Sequence, residues 1–315
     1  MVTPKLDAEF VRLHRMPDPD LAKVKTARRM MAIAARMRGR RRSSEVTFND
    51  QAIEVGARRI NVRIYRANGA ERPGVLVYFH GGGFIVGDLE TEHEVCLNHA
   101  RDGRCVVVSV DYRLAPEFPF PAAHDDGWEV MNWVRNNGAL LNADVARLAV
   151  GGGSAGASIA AGLALRARDE GFALSLVLLQ QPVVDNLGQH RSAREFNDTP
   201  FLKAKHIPMA WDAYFGATTP EGRALTYAAA FAAENVAGLA DTLIIAGNCD
   251  PARDEAIAYA RRLTDAGVNV DLHLFAGAPH GFDLVETAPA ARAAIAIRGK
   301  ALARAIGGAA EARAA

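Results

Sequence analysis

One stretch constrains this chain more than any other: Leu148-Ala149-Val150-Gly151-Gly152-Gly153-Ser154-Ala155-Gly156-Ala157. An apolar run ends at a glycine-rich point carrying one serine. Small, helix-compatible residues (Ala157, Ile159, Ala160, Ala161, Leu163) then lead away. Strand, sharp turn and helix make Gly152-x-Ser154-x-Gly156 read as a nucleophile elbow. Glycines flank the serine because it occupies a strained turn that neighbouring backbones pass within a side chain's width. Ser154 Oγ is then held clear of the sheet, where a base and a carbonyl carbon can both reach it. The same letters spell Gly151-x-Gly153-x-x-Gly156, a dinucleotide-binding loop, whose acidic partner would be Asp185 at the end of the next strand. The rest of the chain decides between the two.

Alternation supplies the frame. Residues 58–66 place Val62 and Ile64 on one face and Arg59 and Arg63 on the other, as in a half-buried antiparallel strand. Residues 74–79 and 105–110 read as buried strands. From there helix 122–136, strand 147–150, helix 155–169, strand 174–180, strand 242–246, helix 253–266, strand 269–275 and a helix from about 287 follow in order. Such alternation implies a mostly parallel sheet with helices on both faces. Residues 186–235 interrupt it with one or two helices carrying Phe201, Leu202, Trp211, Tyr214 and Phe215. An insertion after a strand's C-terminal end lands over a site, so this segment reads as cap. Residues 5–38 read as two helices split at Pro17–Asp20, the second with Leu21, Val24, Ala27, Met30, Met31 and Ala34 on one face. The expected organisation is an N-terminal cap segment at 1–42 and a catalytic domain at 43–315 with a cap insertion at about 186–235. The Ala-rich last dozen residues are expected to fray.

With 315 residues, half of them hydrophobic, the chain can bury a large core and sits near the size at which one core stops growing. A net charge of +1 argues against whole-protein attraction to nucleic acid or anionic membrane. The arginines at 36, 38, 40, 41 and 42 read as a solvated face, since nothing aromatic interleaves them. Cys96, Cys105 and Cys249 are too few and odd in number for a disulfide framework. With no leader-like start and no apolar run of 18, a cytoplasmic location is the expectation.

A serine nucleophile needs a base, an acid to orient that base, and donors for the oxyanion. His280, in a turn-rich loop just past the last strand, is the candidate base, whereas His273 lies within the strand. Asp250, closing the strand before Pro251, is the candidate acid. Asp254 has a structural role ready for it as an acid in a helix's first turn. The order Ser154, Asp250, His280 is that of α/β-hydrolases. His80-Gly81-Gly82-Gly83-Phe84 directly follows a strand, so its glycine N–H groups can face a developing negative charge. A phosphate cradle is the weaker reading, because no G-K-[ST] follows either glycine cluster.

Together these residues resemble the hormonesensitive-lipase-like family of α/β-hydrolases, the bacterial family IV esterases. His80–Phe84 matches its HGGGF motif, Asp111–Glu117 its DYRLAPE, Gly152–Gly156 its elbow, Asp250–Asp254 its DPLRD and His280–Phe282 its HGF. The dinucleotide reading falls away. The resemblance implies an α/β-hydrolase fold, with a mostly parallel eight-stranded sheet flanked by helices and a helical cap. It implies Ser154 as nucleophile, His280 as general base, Asp250 as orienter, and an oxyanion hole from the N–H groups of Gly82, Gly83 and Ala155. It also implies that His80 shapes the loop without reacting, that Asp111 and Arg113 form a structural ion pair, and that Ala115–Pro116 and Phe120–Pro121 are candidate cis bonds. The implied activity is hydrolysis of a small carboxylic ester without metal or cofactor. Phe84, Phe201, Leu202, Trp211, Tyr214 and Phe215 suggest a closed apolar pocket for short-to-medium acyl chains, although the same positions also suit cap core. Amide hydrolysis and ligand binding without catalysis are the alternatives, and an open edge at strand 269–275 leaves room for a homodimer. One departure stands out. Gly153 occupies the elbow position at which the family usually carries Asp, Glu or Thr, leaving the elbow less polar anchoring.

Overall fold

The computed structural model describes residues 4–15, 23–38 and 41–310. The Pro17–Asp20 break, Leu21, Arg40 and the last five residues lie outside the described residues, as do the side chains of Ala34, Arg36 and Arg38. Eight strands form one sheet: β1 (Val46–Val55), β2 (Arg58–Ala67), β3 (Val75–Phe79), β4 (Val106–Asp111), β5 (Leu148–Gly153), β6 (Leu176–Gln180), β7 (Thr242–Gly247) and β8 (Val270–Phe275). Their order is β1-β2-β4-β3-β5-β6-β7-β8, and only β2 runs against its neighbours.

Strands β3, β5, β6 and β7 are buried along their whole length. Both faces of a parallel sheet are covered by crossover helices, so these strands are apolar at successive positions rather than alternate ones. The covering helices are α2 (His93–Gly103), α3 (Ala122–Asn136), α4 (Ala155–Asp169), α6 (Arg253–Asp265) and α7 (Pro289–Ile306). Helices α3 and α4 have the bounds expected from periodicity.

In β2 the expected alternation fails at one point. Val62 and Ile64 are buried, and so is Arg63, which was expected on the exposed face. Its guanidinium holds the Asp50 carboxylate at 2.5 Å and Glu90 at 2.7 Å, a network that brings a buried cation its counter-charges.

The segment 186–235 carries a short helix, Arg191–Glu195, then α5 (His206–Phe215) and Gly222–Ala228. N-terminal to the sheet lie Ala8–Val11 and α1 (Val24–Arg38). In α1, Ala27 is buried and Val24 and Met31 pack beside it, whereas Met30, expected on the same stripe, is exposed. The tail is also more ordered than composition suggests. Helix α7 continues to Ile306, and Ala309–Ala310 pair with Ala70–Glu71. Among the described residues, no helix is long and apolar enough to cross a membrane.

Candidate active site

Ser154 stands where β5 becomes α4, with φ 53° and ψ −118°. A left-handed φ on a residue with a Cβ costs about 1–3 kcal/mol, so surrounding structure must hold it. Two close approaches do so. A Cβ on Gly152 would lie 2.3 Å from the Gly156 carbonyl, and one on Gly156 would lie 2.1 Å from the Phe79 carbonyl oxygen. Ser154 N–H also donates to the Gln180 carbonyl on β6 at 2.8 Å.

The loop after β8 brings His280 to this serine. Its Nε2 lies 2.8 Å from Ser154 Oγ, and its Nδ1 lies 2.8 Å from Asp250 Oδ2 at the end of β7. A carboxylate at Nδ1 fixes the proton there and leaves Nε2 free to accept from the serine hydroxyl. Burial disfavours the imidazolium, but the charge and hydrogen bond of Asp250 outweigh it, and the pKa of His280 is raised above its ordinary value. Asp254 faces elsewhere, accepting the Ser192 N–H at 2.9 Å and pairing with Arg253.

Beside the serine runs the glycine loop after β3. Gly82 and Gly83 have φ of 122° and 60°, conformations that suit glycine. Among the described residues, neither N–H is used by a backbone acceptor. Ala155 is the first residue of α4, so its N–H has no acceptor within the helix. His80 Nδ1 hydrogen-bonds the Gly81 carbonyl at 2.7 Å, and its ring stacks on Tyr112 at 4.3 Å. Burial lowers its pKa, so at neutral pH this imidazole is an uncharged prop for the loop.

The implied Asp111–Arg113 pair is not formed. Arg113 Nε donates to Asp126 Oδ2 at 2.9 Å, and Arg58 reaches the same carboxylate at 2.6 Å. Asp111 instead accepts from Asn61 at 3.3 Å. Asp126 is buried on α3, one turn in, where two guanidinium groups can converge on it; Asp111 closes β4 and faces β2. Both bonds flagged by the resemblance, Ala115–Pro116 and Phe120–Pro121, are cis.

The bulky residues divide. Phe84, Trp211, Tyr214 and Phe215 are buried together, with Phe84 stacked on Tyr214 at a centroid distance of 3.9 Å. They join α5 to the glycine loop and act as packing. Phe201 and Leu202 keep some exposure, and Phe201 lies within reach of Gly281, next to His280. From the other side, Arg28 on α1 donates to the Ile85 carbonyl at 2.8 Å and to the Ala115 carbonyl at 2.9 Å. Arg41, in the basic stretch, is bound to Glu286 at 2.8 Å and to Glu94 at 3.2 Å.

Two polar groups behind the site were not anticipated. On one side Arg298 of α7 pairs with Asp283, which accepts from Gln181 Nε2 at 3.0 Å, and Gln181 Oε1 accepts the Gly281 N–H at 2.8 Å. Burial would raise the Asp283 carboxyl, but Arg298 holds it below the ordinary range. On the other side, Glu92 accepts the Gly81 N–H at 2.7 Å and the Tyr78 O–H. Two amides ending a strand, Gln180-Gln181, were the available signal for the first group. Glu92 looks like an ordinary helix-start acid, and only the bare elbow position at Gly153 hinted at it.

Comparison with known proteins agrees with this geometry. Residues 76–284 match the α/β-hydrolase-fold family. Esterase LipI of Mycobacterium tuberculosis is 40% identical over 243 residues, 76% of this chain and 75% of that protein. The ethyl acetate hydrolase of Pseudomonas putida is 35% identical over 226 residues, 70% of each chain. Among solved structures, esterase LipW from Mycobacterium marinum superposes with a TM-score of 0.87 at 39% identity, covering 96% of this chain and 98% of that one. A bacterial heroin esterase superposes with a TM-score of 0.90 at 33% identity, covering 97% and 99%. The chain belongs to the α/β-hydrolases, in their hormone-sensitive-lipase-like branch.

Proposed function

We propose that this chain is a serine carboxylesterase acting on short-to-medium acyl esters through an acyl-serine intermediate. The observation that carries the reading is the continuous relay from Asp250 through His280 to Ser154 Oγ, each link 2.8 Å long. In this mechanism Ser154 Oγ attacks the ester carbonyl carbon while its proton passes to His280 Nε2. The carbonyl oxygen gains negative charge and is met by the N–H groups of Gly82, Gly83 and Ala155. The C–O bond to the alcohol then breaks, and the alcohol leaves with the proton from His280. Water, deprotonated by the same imidazole, attacks the acyl carbon and releases the acid and free Ser154. Asp250 keeps its charge throughout and stabilises the imidazolium.

Residues 1–42 and 186–235 are assigned to the cap. Support comes from α1 and α5, which pack on Ile85, Val86 and Phe84 at the end of the glycine loop. Phe201 and Leu202 are the cap residues assigned to the acyl pocket, because both keep some exposed surface and Phe201 stands beside Gly281 of the His280 loop. Three free, buried cysteines suit a reducing cytoplasm. A homodimer through β8 is favoured by that strand's open edge, where Leu272 and Leu274 are exposed.

The test compares initial rates on p-nitrophenyl butyrate for this protein and its Ser154→Ala variant, then an acyl-length series. A wild-type rate that drops by about 10⁴-fold or more in the variant is expected. Equal, near-background rates in two folded proteins would refute the esterase and leave a ligand-binding role.

A further inference from the structure

Gly153 immediately precedes the serine, and its missing side chain leaves a space filled from elsewhere. A Cβ built on Gly153 would lie 2.9 Å from Glu92 Oε1 and 3.0 Å from Glu92 Oε2. The carboxylate therefore occupies the direction that a side chain at position 153 would take. It is delivered by the N-cap residue of α2, a different element from the elbow. There it joins three pieces of the site. Its Oε1 accepts the Gly81 N–H at 2.7 Å, one residue before the two glycines proposed as oxyanion donors. Its Oε2 accepts the Tyr78 O–H from β3, and both oxygens lie against Gly153 of β5. Gly81 also comes close to the nucleophile itself, since a Cβ there would lie 3.3 Å from Ser154 Cβ.

We propose that Glu92 is a positioning residue for the oxyanion loop: from α2 it supplies the acidic anchor that the elbow of this chain lacks at Gly153. Its two acceptor oxygens set the distance between the Gly81–Gly83 loop and Ser154. Without them the Gly81 N–H and the Tyr78 O–H lose their acceptor, and the start of the loop loses one of its fixed points beside Gly153. This proposal rests on the acyl-serine reading above.

It makes a reciprocal demand. In the intact protein an aspartate at 153 has no room and would meet a like charge. Once Glu92 is removed, that aspartate points into the vacated space. The experiment measures kcat and KM for p-nitrophenyl butyrate, and the rate of Ser154 phosphonylation by a fluorophosphonate, in six proteins: wild type, Ser154→Ala, Glu92→Ala, Glu92→Gln, Gly153→Asp and the Glu92→Ala/Gly153→Asp double variant. Thermal unfolding is followed in parallel. Glu92→Ala is expected to lower kcat about 10- to 100-fold with KM within about threefold, because misaimed donors weaken the transition state more than ground-state binding. Glu92→Gln keeps an acceptor for Gly81 and is expected within about threefold of wild type. Gly153→Asp alone is expected to be impaired, and the double variant to exceed both single variants in kcat.

A double variant no better than Glu92→Ala, in rate or in folding, overturns the proposal, and so does a Glu92→Ala enzyme with unchanged kcat. Should Glu92→Ala fail to fold, recovery of folding and activity in the double variant supports it. Absence of esterase activity in the wild type would count against the esterase reading alone. The phosphonylation rates then still report whether Glu92 sets the geometry around Ser154.

Discussion

At the scale of single residues, the raised pKa of His280 makes a claim about pH. As the proposed base His280 works as neutral imidazole, so activity is expected to fall as pH drops through the folded-state pKa. Because Asp250 raises that pKa above its ordinary value, the acid limb of kcat/KM lies above about 6.5, the value for an unperturbed histidine. Asp250→Asn removes the charge that favours imidazolium, so the remaining activity should keep its rate to lower pH while kcat falls by about 10³–10⁴. A pH–rate profile of the two proteins checks both parts, and an unmoved limb would remove Asp250 from its role. Asp254→Asn should stay within about threefold of wild type in kcat, since the pair it breaks with Arg253 is partly exposed. The juxtaposition of Ser154, Asp250 and His280 was legible in the sequence because each follows the end of a strand, where turn signals mark position. The Asp111–Arg113 pair was misread for the opposite reason. Spacing of two residues kept the pair plausible in extended chain, but each side chain is taken by a partner from another element, Arg113 by Asp126 on the following helix and Asp111 by Asn61 on β2.

At the scale of elements, the elbow is a packing problem. Gly156→Ala places a methyl carbon 2.1 Å from a β3 carbonyl oxygen, a position no rotamer choice can relieve because Cβ is fixed by the backbone. The expected outcome is loss of soluble protein, or a drop of several degrees or more in midpoint by thermal unfolding. A stable, fully active Gly156→Ala would show that β3 and α4 do not approach as closely as described. Elements with strong periods, such as α3 and α4, were readable to the residue. Helix α2 was not, because its buried positions include His93, Asn98 and His99, which hide the apolar stripe. His99 meets Gln180 Oε1 at 2.8 Å, and burial pushes its pKa down to about 3, so it behaves as a neutral core group. Arg63 in β2 hides in the same way: a charge that is buried because its partners come from other elements leaves no trace in a one-strand pattern.

At the scale of the whole molecule, the loop bearing His280 is held by distant parts of the chain. Arg298 of α7 reaches it through Asp283 and Gln181, and Phe10 from the N-terminal segment packs edge-on against Phe282 at 6.3 Å. Replacing Arg298 by Met leaves the Asp283 carboxylate buried without its cation, at a cost of about 3–5 kcal/mol. Urea unfolding should show that loss, and a variant as stable as wild type would separate the pair from the stability of the loop. The β8 edge makes a further claim at this scale. Light scattering should give the mass of two chains, and a Leu272→Lys/Leu274→Lys variant the mass of one; a monomeric wild type would refute the pairing.

The placement of Arg298 also makes the site wait for a later part of the chain. Ser154, Asp250 and His280 have all been synthesised before α7 exists, yet the histidine loop is anchored by a residue 18 positions beyond His280 in the sequence. A nascent chain whose last helix is still inside the ribosome therefore holds every reacting group and lacks the brace that aligns them. The site is thus completed from a part of the chain made after every group it aligns.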